Sequence, residues 1–338
     1  MTRGERLKEK LFTLNDRALF LERLEILKRC AAQFEGQAAG VKFGRTLKEL
    51  LANVSLVIDE DDLIVGRVPE IVPTPEQEKF FQENRPFWWV PWFQTTGHLT
   101  ISWEMLLQEG LGGLRDRAAK RLEALGGGPN LFGGSPQQVG DSDATSHPSQ
   151  RDFLEGAMLC CDALATFAAR YAAEARRLAA EAAGGRKEDL LRIAAALDHA
   201  PLNPARTFRE AIQAIWLVDM ALHAVVGARD FALGRLDQYL YPFYLRDTQA
   251  GILTDEQAQE LVECLFIKCS EIVGYADQRS PKKRSHCQDS VQYVVLGGQK
   301  GEMAGRSLGG FGYGASVAKA HVSAVADRVQ PVPSRRLP

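Results

Sequence analysis

Long apolar runs are missing from this 338-residue chain. None reaches the eighteen or so residues needed to span a bilayer. The opening residues, Met1-Thr2-Arg3-Gly4-Glu5-Arg6, lead into a charged helical pattern without the apolar core of a signal peptide. The expected location is cytoplasmic. Net charge is lacking too: 41 basic against 43 acidic side chains leaves −2, no electrostatic case for nucleic acid or an anionic membrane. Cysteine is sparse, six in all, and no pair has C-x-x-C spacing. Cys30, Cys160, Cys161, Cys264 and Cys269 fall in helical patterns, where free cysteine behaves as a small buried hydrophobe. That argues against a disulfide framework or structural zinc. The length allows two domains or one large one.

What is present is chiefly helical period. Leu7, Leu11 and Leu14, then Leu21, Leu24, Ile26 and Leu27, mark residues 5–34 as one helix or two, with Asn15-Asp16 able to break it. A short helix is expected over Thr46–Leu51. Val54–Ile58 and Leu63–Gly66 are β-rich and joined by Asp59-Glu60-Asp61-Asp62, which reads as an edge hairpin with a solvated acidic turn rather than a metal site. Thr74-Pro75-Glu76-Gln77 starts a helix with proline at its first position. Pro86–Phe93 is the densest aromatic patch. Nucleic-acid stacking there would need flanking basic residues and only Arg85 is near, so buried packing is expected.

Further helices are expected over Trp103–Leu125, Arg151–Ala183, Lys187–His199, Phe208–Val226 and Thr254–Val273. The Gly- and Ser-rich residues 126–149 lack the spacing of a phosphate loop or dinucleotide fingerprint and read as a connector. Pro281-Lys282-Lys283-Arg284 reads as an exposed basic loop, and Val291–Leu296 as a buried strand. From Met303 to Pro338 periodicity is weak and little stable structure is expected.

One stretch fits none of these classes. Gly234-Arg-Leu-Asp-Gln-Tyr-Leu-Tyr-Pro-Phe-Tyr244 sets Arg235, Asp237 and Gln238 among four aromatic rings and a proline. It is too polar for plain core and too aromatic for a free loop. A buried Asp237 needs a partner, and Arg235 is the nearest candidate in sequence. The pair either pins a junction between helix and core or carries chemistry.

This block, with Arg206-Thr-Phe-Arg-Glu-Ala-Ile-Gln-Ala-Ile-Trp216, resembles the pyruvate formate-lyase domain of the glycyl radical enzymes. Asp61-Asp-Leu-Ile-Val-Gly66, Arg151-Asp-Phe-Leu-Glu155 with Cys161-Asp162, and Leu296-Gly-Gly298 resemble it in the same order. The resemblance covers residues 5 to about 300, and its texture is that of the dehydratase and lyase branch.

The resemblance implies an α/β, predominantly helical fold: the first part of a ten-stranded α/β barrel, truncated, with residues 1–302 as its N-terminal portion and 303–338 as an irregular tail. It implies a homodimer acting on a small-molecule substrate, and a C-terminal glycyl radical installed by a radical S-adenosylmethionine activase. A thiyl radical then abstracts hydrogen from the substrate inside a barrel that keeps water out. The sequence departs from the family at both radical positions. It has no Gly-Cys-x-Glu loop and no Arg-Val-x-Gly-Tyr loop. Cys160-Cys161 lies inside a helical pattern, and Gly310-Phe-Gly-Tyr-Gly314 lacks the preceding Arg-Val. The chain alone is therefore expected to be inactive, with no catalytic residue, bound cofactor or metal assigned.

The resemblance also implies substrate-facing positions. Gly97-His98 is similar to the segment where dehydratases of the family place a substrate-contacting histidine. Gly227-Ala-Arg-Asp-Phe-Ala-Leu233 is similar to a segment where a serine approaches substrate. Arg229 and Asp230 stand there instead, which suits an anionic or zwitterionic substrate or else forms a mutual salt bridge. Arg235, Asp237, Gln238 and Tyr239 become a structural brace rather than catalytic charges. The alternative is a non-catalytic helical binding or dimerisation module.

Overall fold

The computed structural model describes residues 1–12, 20–67, 71–88, 90, 92–93, 100–125, 150–227, 232–272 and 294. Among them the chain is mostly helical. In order come α1 (Arg3–Phe12), α2 (Leu21–Gln33), α3 (Ala39–Asn53), α4 (Pro75–Asn84) with a 3-10 turn at Arg85–Trp88, α5 (Trp103–Ala124) and α6 (Gln150–Glu181). Next are α7 (Gly184–His199), α8 (Phe208–Met220) continued by a π turn at Ala221–Val226, α9 (Leu236–Gln249) and α10 (Asp255–Ile272). Their apolar faces meet in one connected core running from Leu7 to Cys269. Each fully buried leucine of that core, such as Leu24, Leu27 or Leu50, contributes about 1.5–3 kcal/mol.

Local sequence signals account for several ends. Thr74 and Gln77 form a reciprocal capping box at the start of α4, with Pro75 at the first position. Thr254 and Gln257 exchange the same two hydrogen bonds before α10. Of the aromatic patch, Phe93 is buried, stacked 4.8 Å from Phe43, and Lys42 lies over the Trp92 ring. That is packing, as the sequence suggested.

Three sequence readings need correction. Helix α3 begins seven residues before Thr46, because Gly40 and Gly44 are contact residues and not breakers. Asp152 of α6 accepts hydrogen bonds from the Gly40 and Val41 N–H groups at 2.8 and 2.9 Å, capping α3 from another helix. A Cβ at Gly156 would lie 2.4 Å from the Gly40 carbonyl oxygen, so α3 and α6 cross at a distance only glycine permits.

The second correction concerns Val54–Gly66, which forms no strand and no hairpin. Helix side chains replace the ladder. Gln213 donates to the Val65 carbonyl and accepts from the Val65 N–H, both at 2.8 Å. Trp216 Nε1 donates to Gly66, Tyr171 bonds both the N–H and the C=O of Arg67, and Arg209 donates to Leu63. Backbone groups from Leu63 to Arg67 are thereby met without a sheet partner.

Nor is the acidic run solvated throughout, which is the third correction. Asp62 is fully buried, 2.7 Å from Lys268 of α10. Asp59 pairs with Arg67 and Lys10, Asp61 with Arg6, and Arg186 donates to the carbonyls of Asp59 and Asp62. The acids tie α1, α7 and α10 to one loop.

Candidate functional site

Helices α5 and α9 start side by side, because the residues preceding them pair. Thr100 and Ala232 form a parallel bridge, and Gly234 bridges Val294 in parallel. These isolated bridges are the β-structure that named pairs define among the described residues. The expected half-barrel is not present there as strands.

Gly234 has φ +61, and the turn into α9 needs glycine on that count. Trp103 Nε1 donates to the Ala232 carbonyl at 3.1 Å, and the Tyr239 hydroxyl donates to the Leu233 carbonyl at 2.8 Å. One aromatic from each helix thus holds the same segment. Tyr239, Gln238 and Asp237 are buried, while Arg235 is exposed at the head of α9. The opening turns of α9 are thus fastened to the segment that leads into them. The sequence reading placed no helix over this stretch, since Pro242 inside α9 reads as a stop.

The two helix starts enclose a pocket of about 300 Å³. Thr100, Ser102, Glu104, Arg235, Gln238 and Tyr239 bring hydroxyls, a carboxylate, a guanidinium and an amide to its wall. It lies just past the carboxyl ends of the bridged parallel segments, where parallel α/β folds place ligands. Glu104 and Asp237 sit in the first turns of α5 and α9, where helix dipoles favour negative charge.

His98, Arg229 and Asp230, singled out in the sequence, lie outside the described residues. The next described residues along the chain, Thr100 and Ala232, are bridged to each other.

Some residues look functional although no sequence motif marks them. Arg23 of α2 is 1% exposed and donates to the Val225 and Val226 carbonyls at 2.6 and 2.9 Å, closing the π turn just before Gly227 turns left-handed at φ +82. Asp219 and His223 are buried together in that last stretch of α8, 3.4 Å apart. A charged residue inside an apolar helical face was the signal. Arg23 lies on the Leu24, Leu27 and Cys30 face, and Asp219 interrupts Ile-Trp-Leu-Val-Asp-Met.

The described cysteines are not activated. Burial pushes Cys160 and Cys264 up to about 12, and Cys161 and Cys30 up to about 11, far from thiolate at neutral pH. Among the described residues no cluster of three or more His, Cys, Asp or Glu could hold a metal ion, and no helix is long and apolar enough to cross a membrane.

The pyruvate formate lyase-like family model matches residues 72–308, and the chain belongs to that family. Among curated relatives it is 28% identical over 353 aligned positions to an isethionate sulfite-lyase of Bilophila wadsworthia, covering 83% of this chain and 41% of that one. It is 33% identical over 212 positions to a trans-4-hydroxy-L-proline dehydratase of Clostridioides difficile, covering 62% and 24%. Its fold matches the hydroxyproline dehydratase structure from Clostridioides difficile with a TM-score of 0.77 at 22% identity, covering 96% of this chain and 46% of that one. A glycyl radical enzyme from Archaeoglobus fulgidus matches with a TM-score of 0.76 at 21% identity, covering 94% and 46%. The chain thus spans less than half the length of these relatives.

Proposed function

We propose that this chain is the N-terminal portion of a glycyl radical lyase or dehydratase, forming one wall of its substrate chamber. The match of 96% of the chain to 46% of a substrate-bound dehydratase is the observation that carries this reading. Catalysis would use a thiyl radical to abstract hydrogen from a small polar metabolite. The sequence has neither the Gly-Cys-x-Glu nor the Arg-Val-x-Gly-Tyr loop, so the chain by itself is inactive. His98, Arg229 and Asp230 face substrate, and Arg235, Asp237, Gln238 and Tyr239 brace the wall behind them. A guanidinium at residue 229 favours an anionic or zwitterionic substrate. The relatives named for isethionate and trans-4-hydroxy-L-proline take a sulfonate and an amino acid, which supports that class. In the complete enzyme the partners are a second subunit and a radical-activating enzyme.

The second reading is a stand-alone helical module for binding or dimerisation, favoured by the single connected core. Sedimentation velocity across a concentration series separates the two. An uncovered barrel edge makes the chain associate or aggregate. A monomer at all concentrations, melting in one cooperative step, sinks the fragment reading and favours the module.

A further inference from the structure

Arg23 is a full charge sealed inside the protein, and its acceptors include the backbone carbonyls of Val225 and Val226. Burying a guanidinium is costly, and a helix C-terminus offsets the cost, because its last carbonyls carry the negative end of the helix dipole. Arg170 does the same for α3: it donates to the Leu51 and Val54 carbonyls at 2.6 and 2.8 Å. The two arginines differ in where the chain goes next. After α3 it enters the Val54–Gly66 segment, which Gln213, Trp216 and Arg209 hold independently. After the π turn it passes Gly227 and reaches Ala232, Leu233 and Gly234 at the pocket. A Cβ at Gly227 would lie 3.1 Å from Arg23 Nη2, so guanidinium and backbone are packed together at the point of departure. The π turn itself departs from regular helix geometry, and such turns occur frequently at functional sites.

We propose that Arg23 is a positioning residue of the substrate site: from α2 it clamps the end of the π turn and so sets where the chain enters the pocket wall at Leu233–Tyr239. This rests on the reading of that wall as substrate-facing. Its side chain need not touch substrate. Five N–H donors in a fixed plane can hold two adjacent carbonyls at once, which a lysine ammonium does less well.

Hydrogen exchange read by mass spectrometry on the purified chain tests it, comparing Arg23→Met, Arg23→Lys and Arg170→Met. Arg23→Met raises exchange at least tenfold in peptides spanning 224–240 and leaves those of α6 unchanged, and Arg23→Lys restores part of the protection. Arg170→Met raises exchange near 50–56 and leaves 224–240 as it was. Unchanged exchange at 224–240 in Arg23→Met, or a rise spread evenly over the chain, overturns the proposal; the even rise would mean only lost global stability. The substrate reading is checked separately on the unsubstituted chain, with isethionate and trans-4-hydroxy-L-proline as probes. Protection of 100–107 and 232–240 by either supports it. Protection by neither counts against the wall's role while the Arg23 comparison still reports whether the clamp exists.

Discussion

The Lys268 ammonium lies 2.7 Å from the Asp62 carboxylate, and both side chains are sealed from solvent. Glu271, one turn further along α10, adds a second carboxylate at 3.4 Å. Burial alone would lower the Lys268 pKa, but Asp62 and Glu271 outweigh it and hold the group above its ordinary value. Removing the cation strands two buried acids. Lys268→Met is expected to cost about 3–5 kcal/mol in urea unfolding. Lys268→Met combined with Asp62→Asn is expected to cost less than the sum of the single changes, because the amide no longer needs a counter-charge. Strict additivity would contradict the pairing.

Acid should release α1 first. Arg6 holds Asp61 below the ordinary 3.8. For Asp59, burial pushes upward, but Lys10, Arg67 and Lys268 prevail and lower it. Both carboxylates therefore contribute stability that is complete above about pH 3.8–4 and lost as pH falls through their lower folded values. Glu271 has the opposite sign: burial raises it, so its contribution is present below its ordinary 4.5 and lost as pH rises through the folded value. Asp61→Asn is expected to flatten the acid limb of a stability-against-pH curve and to lower neutral stability by about 0.2–1 kcal/mol, as befits a partly exposed pair. An unchanged acid limb contradicts this assignment.

Gly156 tests the α3–α6 crossing. On helix propensity alone Gly156→Ala would stabilise by about 1 kcal/mol. The new methyl, however, meets the Gly40 backbone at 2.4 Å, and backbone yields less readily than a side chain. The expected outcome is a net loss of about 1–3 kcal/mol, read as a lower Tm. Stabilisation would mean the two helices are further apart than described.

Gln213→Leu tests the side-chain ladder. It leaves the Val65 N–H and C=O without their partner inside the core, at about 1–3 kcal/mol for each group. Circular dichroism should show an earlier urea midpoint with the helix signal at zero denaturant retained. A loss below about 0.5 kcal/mol would show that Val65 has other partners.

Most of the helices, α9 and the start of α3 apart, were legible because their signals are local. The apolar stripe of α6, the Thr-Pro-x-Gln start of α4 and the charged stretch of α10 each fix an element without tertiary help. The Gly-Arg-x-Asp-Gln-Tyr block carried the family, and its Tyr239 shares with Trp103 the holding of one backbone segment. What escaped the sequence is what depends on distant partners. Val54–Gly66 has strand composition, yet backbone groups at both its ends are met by side chains from α6 and α8, more than a hundred residues away. The Gly40 start of α3 depends on Asp152. The acidic run reads as solvated because Lys268, the counter-charge of its buried Asp62, lies about two hundred residues further on. His98, Arg229 and Asp230 came from family likeness and lie outside the described residues.

The most direct test of the account is the DNA beyond codon 338, read in all frames. The fragment reading predicts a frame encoding Gly-Cys-x-Glu and, further on, Arg-Val-x-Gly-Tyr. Neither motif in any frame would contradict it and remove radical transfer from the function of this chain.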